Sequence, residues 1–310
     1  MKADIYTMIL CWNGAEDTLR CLESLRWVKD VPFQIVVVDN GSRDGTPSAV
    51  RGAFPEAELI STGRNLGYAG GNNFGLRILL GRKPEFICLL NNDTVVDSGF
   101  LAPLLACAST HPRTGIFGPR ICFLARPDTI WSQGIRVSPT DGRIVSPDHG
   151  CRGDASIRPR TVDAVSGAAF LIRRRTLEET GLFDERYAFY HEDVDLCLRA
   201  KKAGWKTMVV PASHTWHRVG AAMEEAGGDN NIYYLVRNHL LVINQSFPLL
   251  LPLRGLRNLL IVLYNLLFLL FTTRKGDAAA LKTWGEGVRD YLRGRWGMRG
   301  EEGETVSGKL

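Results

Sequence analysis

No CxxC pair occurs in this chain, and its seven cysteines (Cys11, Cys21, Cys88, Cys107, Cys122, Cys151 and Cys197) are scattered. An odd, unpaired set argues against a disulfide framework and a zinc ribbon, and suits a reducing cytoplasm. There is no low-complexity tract and no repeat at solenoid or propeller periods. The opening MKADIYTMIL lacks a signal-peptide layout, and Asp4 and Asn13 argue against export. No uncharged run reaches the roughly 20 residues needed to cross a bilayer, the longest being 258–273. What remains is a composition of ordinary globular type, 45% apolar and 23% charged over 310 residues. That length allows one large domain with an appendage.

Charge is uneven. Between Arg254 and Arg299 there are nine Lys/Arg against three Asp/Glu, while the whole chain nets +5. The basic character therefore belongs to the C-terminal segment. From about Asn231 that segment is strongly apolar and is interrupted by Pro248, Pro252, Arg254 and Arg257. It reads in three ways: a buried core helix, a spanning helix, or a segment lying in the membrane interface. Flanking basic residues, which attract anionic lipid, favour the third. The same apolar surface is compatible with an oligomer.

The first half alternates strand and helix signals. IYTMILCW reads as a strand, AEDTLRCLESLRW as an amphipathic helix, and FQIVVVDN as a buried parallel strand. Thr46 and Pro47 look like an N-cap and first helical position. EAELIST reads as a strand, NNFGLRILLGR as a helix and EFICLLNNDTVV as a strand. This order predicts an α/β fold with a mostly parallel, Rossmann-like sheet flanked by helices. Such sheets bind ligands beyond the carboxyl ends of their strands, where Asn13, Asp39, Asn40 and Asn91 to Asp93 fall.

Each polar cluster has a structural and a chemical reading. Asp39 can accept from a base N–H or a ribose hydroxyl, or simply bond its own turn; Asp44 is expected only to shape a turn. The stretch Asn65 to Gly75 (NLGYAGGNNFG) could turn backbone N–H groups toward a phosphate. Its glycines do not fit GxGxxG, which weakens a dinucleotide reading. Asp93, between asparagines at a strand tip, suits Mg²⁺ or Mn²⁺ completed by substrate phosphates, and His217 could add an imidazole. Glu192, Asp193 and Asp195 open a helix, where acids are favoured by the helix dipole, and Asp195 and Arg199 are spaced for an ion pair.

Taken in order, DNGSRDGT, NLGYAGGNNFG, LLNNDTVV, SGAAFLIRR, GLFDERYAFYHEDVDLCLRAKKAGW and SHTWHRVG resemble the bacterial family 2 glycosyltransferases of GT-A fold. The likeness is greatest to the rhamnosyltransferase-like members and covers about residues 3–240. It implies a catalytic domain over 1–240, with a nucleotide-binding half to about 120 and an acceptor half from 121. Residues 241–310 would form a C-terminal apolar and basic helical segment. It further implies that Asn13, Asp39, Asn65, Asn72 and Asn92 line the nucleotide site. Asp93, His217 and Asn91 would hold Mg²⁺ or Mn²⁺, with Asn91 replacing an aspartate of the fuller DxD motif. Asp193 would be the catalytic base and Glu192 its neighbour toward acceptor or sugar. Arg173 to Arg175 either help hold diphosphate or form a solvated face.

The expected activity is metal-dependent, inverting transfer from a nucleotide-diphosphate sugar, dTDP-L-rhamnose before UDP-hexose. The expected acceptor is a lipid-linked glycan at the inner face of the cell membrane, reached through an anionic lipid surface; no nucleic-acid partner is expected. Two other readings stand beside it: an inactive glycan- or lipid-binding protein of the same fold, and an NAD-dependent oxidoreductase.

Overall fold

The computed structural model describes residues 4–29, 31–152, 158–219, 229–272 and 278–300. Arg274 and Lys275, which belong to the basic excess, lie outside them. Strands β1 (Ile5–Cys11), β2 (Gln34–Asp39), β3 (Glu58–Ser61) and β4 (Phe86–Asn91) alternate with helices α1 (Ala15–Arg26), α2 (Thr46–Ala53) and α3 (Gly67–Arg82). They form an all-parallel block in the order β3-β2-β1-β4. Val36, Val37 and Val38 are fully buried, as a β-branched run covered on both faces requires. At α2 the cap differs from the Thr46 expectation. Thr46 is the first helical residue after left-handed Gly45, and Asp44 Oδ1 accepts from Thr46 N. Asp44 thus shapes the turn, as expected.

The glycine-dense stretch also differs from its expected loop. It lies inside α3, because small residues let this helix rest on the sheet. A Cβ on Gly75 would sit 2.5 Å from Met8 Sδ and 2.6 Å from Val38 Cγ2, and one on Gly71 would sit 2.7 Å from Leu10. The N–H groups offered to phosphate in the sequence reading are otherwise engaged. Tyr68 N and Ala69 N donate to Ala188 O at 2.8 and 3.1 Å, and Gly67 N donates to Asn65 Oδ1.

Beyond β4 follow β5 (Thr94–Val96), α4 (Leu101–Thr110), β6 (Thr114–Phe123), β7 (Arg126–Ser132) and a hairpin of β8 (Arg136–Val137) with β9 (Ile144–Val145). Then come β10 (Arg160–Val162), β11 (Ala169–Arg173), α5 (Arg174–Thr180), α6 (Glu192–Lys202) and β12 (Lys206–His217). Antiparallel β11 sits between β4 and β6, and β6 runs parallel to β12. The sheet is therefore parallel in its first half and mixed in its second.

Among the described residues, three helices follow β12: α7 (Asp229–Ser246), α8 (Leu251–Thr272) and α9 (Ala278–Leu292). The expected division near 240 falls inside α7. Val236 and Leu240 to Ile243 are buried in the same core as Leu76 and Leu79 of α3. Helix α8 buries one stripe: Ile261 is 1% exposed and meets Gly142. Arg257, equally buried, donates to the Pro139 and Phe247 carbonyls. Its outer side is apolar and uncovered, with Leu256, Leu259, Leu263, Leu267 and Phe271 all exposed.

Candidate active site

The carboxyl ends of β2, β1 and β4 lie side by side, since Cys11 pairs with Asp39 and Leu10 with Asn91. Two strand spacings separate Asp39 from Asn91, about 10 Å. Asp39 is buried; its Oδ1 accepts from Ser42 N and its Oδ2 from Ser61 Oγ, both at 3.0 Å. Asn13 has a left-handed backbone. Its N–H donates to Ser42 Oγ at 2.8 Å, and its Oδ1 accepts from Arg43 N at 2.9 Å. Asn92 Nδ2 donates to Thr18 Oγ1 and to Asn13 O. The structure therefore brings Asn13, Asp39 and Asn92 together. Asn65 and Asn72 are placed differently. Asn65 Oδ1 accepts from Gly67 N and Asn40 Nδ2, and buried Asn72 donates to Tyr68 O one turn back in α3. Both carboxamides shape the entry to α3. Asn40, placed beside Asp39 at the end of β2 in the sequence reading, ties Asp39's strand to that entry through Leu66 N and Gly67 O.

Asp93 and His217 meet where β5 begins and β12 ends, with His217 in register with Thr94. Asp93 Oδ1 lies 3.0 Å from His217 Nε2, and the imidazole packs 4.7 Å from the Trp131 ring. Both side chains are more than 90% buried, yet Asp93 Oδ1 and His217 Nδ1 lack hydrogen-bond partners. Asp93 Oδ1 and the Nε2 that faces it supply the oxygen and nitrogen donors that a divalent cation takes, while Nδ1 lies on the other side of the ring. Among the described residues no third His, Cys, Asp or Glu completes the cluster. A cation here would take its other ligands from Asn91, substrate phosphate or water. Asn91's own backbone N–H donates to Ala168 O at 2.9 Å.

Helix α6 presents Glu192 and Asp193 beside this pair. Asp193 Oδ2 accepts from Gly167 N at 2.6 Å, and Oδ1 from Val194 N at 2.7 Å. Gly167 O accepts from Tyr68 Oη at 2.7 Å. The next residue turns the other way: Ala168 O accepts from Asn91 N and from Thr94 Oγ1. The dipeptide Gly167–Ala168 thus joins Asp193 on one side to the Asn91–Thr94 turn on the other. The approach is close: a Cβ at 167 would lie 3.0 Å from Tyr68 Oη and 3.3 Å from Asp193 Oδ2, so a side chain there would have to push one of them back. Electrostatics agree. Burial and the charges of Glu192, Asp193 and Asp93 all push the Tyr68 hydroxyl well above its ordinary pKa. Burial, Glu192 and Asp93 push Tyr190 up to about 12.

Glu192 is 5% exposed, and its Oε2 has no partner. Burial first, and Asp193 second, raise its pKa well above the usual carboxyl range. Unfolding therefore releases a proton from Glu192 at pH values between its unfolded and its folded pKa. Its contribution to stability is complete below its unfolded pKa near 4.5 and is lost as pH rises toward the folded value. Glu192→Gln removes that slope. Denaturant titrations should show the variant gaining on wild type as pH rises above 5, by up to about 1.4 kcal/mol per pH unit. A difference independent of pH would show Glu192 to be ionised in the fold.

Asp195 and the Arg173–Arg175 run are engaged outside this cluster. Asp195 is fully buried and bonds Arg199 at 2.7 Å, the i,i+4 pair expected. The Arg173–Arg175 run is turned away from the site. Arg173 donates to Thr114 O and Ala108 O, while Arg174 and Arg175 pair with Glu178 and Glu179. Tyr68 and Gly167 are the site residues with the least sequence signal.

A family model, glycosyltransferase like family 2, matches residues 3–227. The chain is 34% identical over 221 residues to an N-acetylglucosaminyl-diphospho-decaprenol L-rhamnosyltransferase of Mycobacterium tuberculosis (strain ATCC 25618 / H37Rv), covering 64% of this chain and 70% of that one. It is 25% identical over 304 residues to the dTDP-rhamnosyl transferase RfbF of Shigella flexneri, covering 95% and 97%. Among solved structures, Staphylococcus aureus TarS (1–349) with UDP-GlcNAc superposes with TM-score 0.59 at 17% identity over 94% of this chain and 81% of that one. The Pyrobaculum calidifontis mannosyltransferase PcManGT with GDP-Man and Mn²⁺ gives 0.56 at 16% identity over 94% and 81%. These likenesses establish the GT-A fold, and the oxidoreductase reading falls with them. With a family match over most of its length, the chain belongs to glycosyltransferase family 2 and is a glycosyltransferase.

Proposed function

We propose that this glycosyltransferase moves a sugar, with inversion, from a nucleoside-diphosphate donor to a lipid-linked glycan in cell-surface polysaccharide synthesis. One observation carries the reading. Asp193, held by Gly167 N, stands one residue from the Ala168 carbonyl that fixes the Asn91–Thr94 turn carrying Asp93. A proton acceptor and a diphosphate site are thereby adjacent. In this mechanism the acceptor hydroxyl oxygen attacks the anomeric carbon from the face opposite the leaving group. Its proton passes to Asp193 as the bond to the nucleoside diphosphate breaks. Each oxygen of Asp193 accepts one backbone N–H and keeps a lone pair free. Burial favours the neutral form of Glu192, and its Oε2 is free for a substrate hydroxyl. Asp39 and Asn13 receive the nucleoside, Asn92 bracing Asn13.

Asp93, His217 and Asn91 would hold Mg²⁺ or Mn²⁺, which when bound neutralises charge on the diphosphate. The Mn²⁺ in PcManGT, on the same fold, is in keeping with that donor set. Rhamnose, carried by dTDP, is the favoured sugar, because the mycobacterial and Shigella relatives are both rhamnosyltransferases by name. A UDP-hexose is the second candidate. The decaprenol in the mycobacterial name points to a lipid-linked acceptor. Incubation with Mn²⁺ and a panel of nucleotide sugars tests the reading: dTDP release from dTDP-L-rhamnose is expected. Tight binding with no release from any donor would leave only a binding protein.

Helix α8 suits the inner membrane face in this reading. It is long and apolar enough to cross a bilayer by length and composition, but it buries one stripe in the protein. Lying flat, it presents Leu256, Leu259, Leu263, Leu267 and Phe271 to lipid beside a basic segment. Replacing Leu259 and Leu263 with Gln is expected to abolish co-flotation with anionic vesicles while turnover of a soluble acceptor analogue persists. Unchanged flotation would remove the membrane role.

A further inference from the structure

The segment before α6 has an unusual backbone. Ala188, Tyr190 and His191 have φ of 56°, 64° and 68°. Left-handed conformation is uncommon outside glycine, and more so for a bulky tyrosine. Such residues persist only where their surroundings hold them, and they gather at functional sites. Here successive carbonyls point in opposite directions. Ala188 O turns toward α3 and accepts from Tyr68 N and Ala69 N. The carbonyls of Tyr187, Phe189 and Tyr190 turn toward α7, where all three converge on Asn238 Nδ2 at 2.7, 2.6 and 3.0 Å.

Asn238 is completely buried. Its orientation is fixed because Arg237 Nε donates to Asn238 Oδ1 at 2.9 Å, which leaves the amide hydrogens facing the loop. Arg237 is 1% exposed. Its Nη2 donates to the Arg186 and Tyr187 carbonyls, and its Nη1 to Gly297 O at 2.8 Å. Both side chains therefore bond the same five-residue stretch, 186–190. That stretch fixes the start of α3, which carries Tyr68, and the start of α6, which carries Asp193. Tyr68 and Asp193 meet again at Gly167.

We propose that Asn238, backed by Arg237, is a positioning residue. It holds the left-handed loop that aims Asp193 at the acceptor hydroxyl. The proposal rests on Asp193 being the base, and it assigns to α7 a part in catalysis that lies outside the donor site.

Asn238→Asp tests it, since the shape and the Arg237 contact are kept while the donors to the three carbonyls are lost. Displacing a reacting group by about 1 Å costs on the order of 10²-fold. The expected result is therefore a fall of about 10- to 100-fold in kcat, with the dissociation constant for nucleoside diphosphate changed by less than about threefold. A role limited to stability would lower the melting temperature and leave kcat per folded molecule unchanged, and that result overturns the proposal. So does a loss that lies wholly in donor affinity. Should Asn238→Asp not fold, Asn238→Gln keeps both donors on a longer arm and is read in the same two ways. Asp193→Asn is measured in parallel. If it retains wild-type turnover, the base assignment itself fails; if it is inactive while Asn238→Asp turns over normally, only the positioning role is lost.

Discussion

Asp193→Asn is expected to lower kcat by about 10² to 10⁴ while leaving the fold and donor affinity intact. Asparagine can still accept from Gly167 N through its carbonyl oxygen, so the contact that seats the side chain survives. What disappears is an oxygen able to take a proton. Because only the transferring step uses that capacity, the loss should lie in kcat and not in binding. Nucleotide release at saturating donor and acceptor measures it. Donor hydrolysis by water, which also needs a base, should fall in parallel. Turnover within about threefold of wild type would move the base elsewhere. The other carboxylate that α6 offers to this cleft is Glu192, and burial, which raises its pKa and favours its protonated form, makes it a poor substitute.

Asp93→Ala is expected to cost about 10² to 10³ in kcat/KM, the scale of losing one preorganised charge-stabilising group. It should also remove metal dependence. Chelation of divalent ions from the wild type should bring activity down to the level of the variant, and chelation of the variant should change little. The reason is local. Asp93 Oδ1 is buried against His217 with no hydrogen-bond donor of its own, and Asn91 supplies no charge in the neighbouring position. A single carboxylate therefore carries the anionic share of this ligand set. If Asp93→Ala stayed fully responsive to Mn²⁺, the cation would bind through groups other than this pair.

Much of this was legible in the chain because strand ends advertise themselves. The run IVVVDN could only be a buried strand, and its last residues had to emerge at the ligand-binding edge; Asp39 and Asn40 do so. The i,i+4 pairing of Asp195 with Arg199 followed from helical spacing alone. The glycine-dense stretch was misleading for a physical reason. Gly71 and Gly75 make contact through the absence of a side chain, so no apolar period marks them as the inner face of α3. The extent of the resemblance placed a boundary near 240, which falls inside α7, while hydropathy changes near Asn231. The polar residues that tie α7 to the catalytic loop were invisible to it. Asn238 and Tyr187 stand 51 positions apart, and nothing local in YYLVRNHLL signals that bond. The Arg173–Arg175 run shows the reverse case, a cluster suggestive of phosphate whose side chains are all engaged elsewhere.

The central claim is that Asp39, Asp93 and Asp193 surround one donor. A structure of the protein with Mn²⁺ and an unhydrolysed nucleoside-diphosphate sugar tests it most directly. The predicted result is a base against Asp39, a diphosphate against Asp93 and His217, and an anomeric carbon whose open face points at Asp193. A nucleotide seated in another cleft, or an Asp193 carboxylate screened from the sugar, would contradict it.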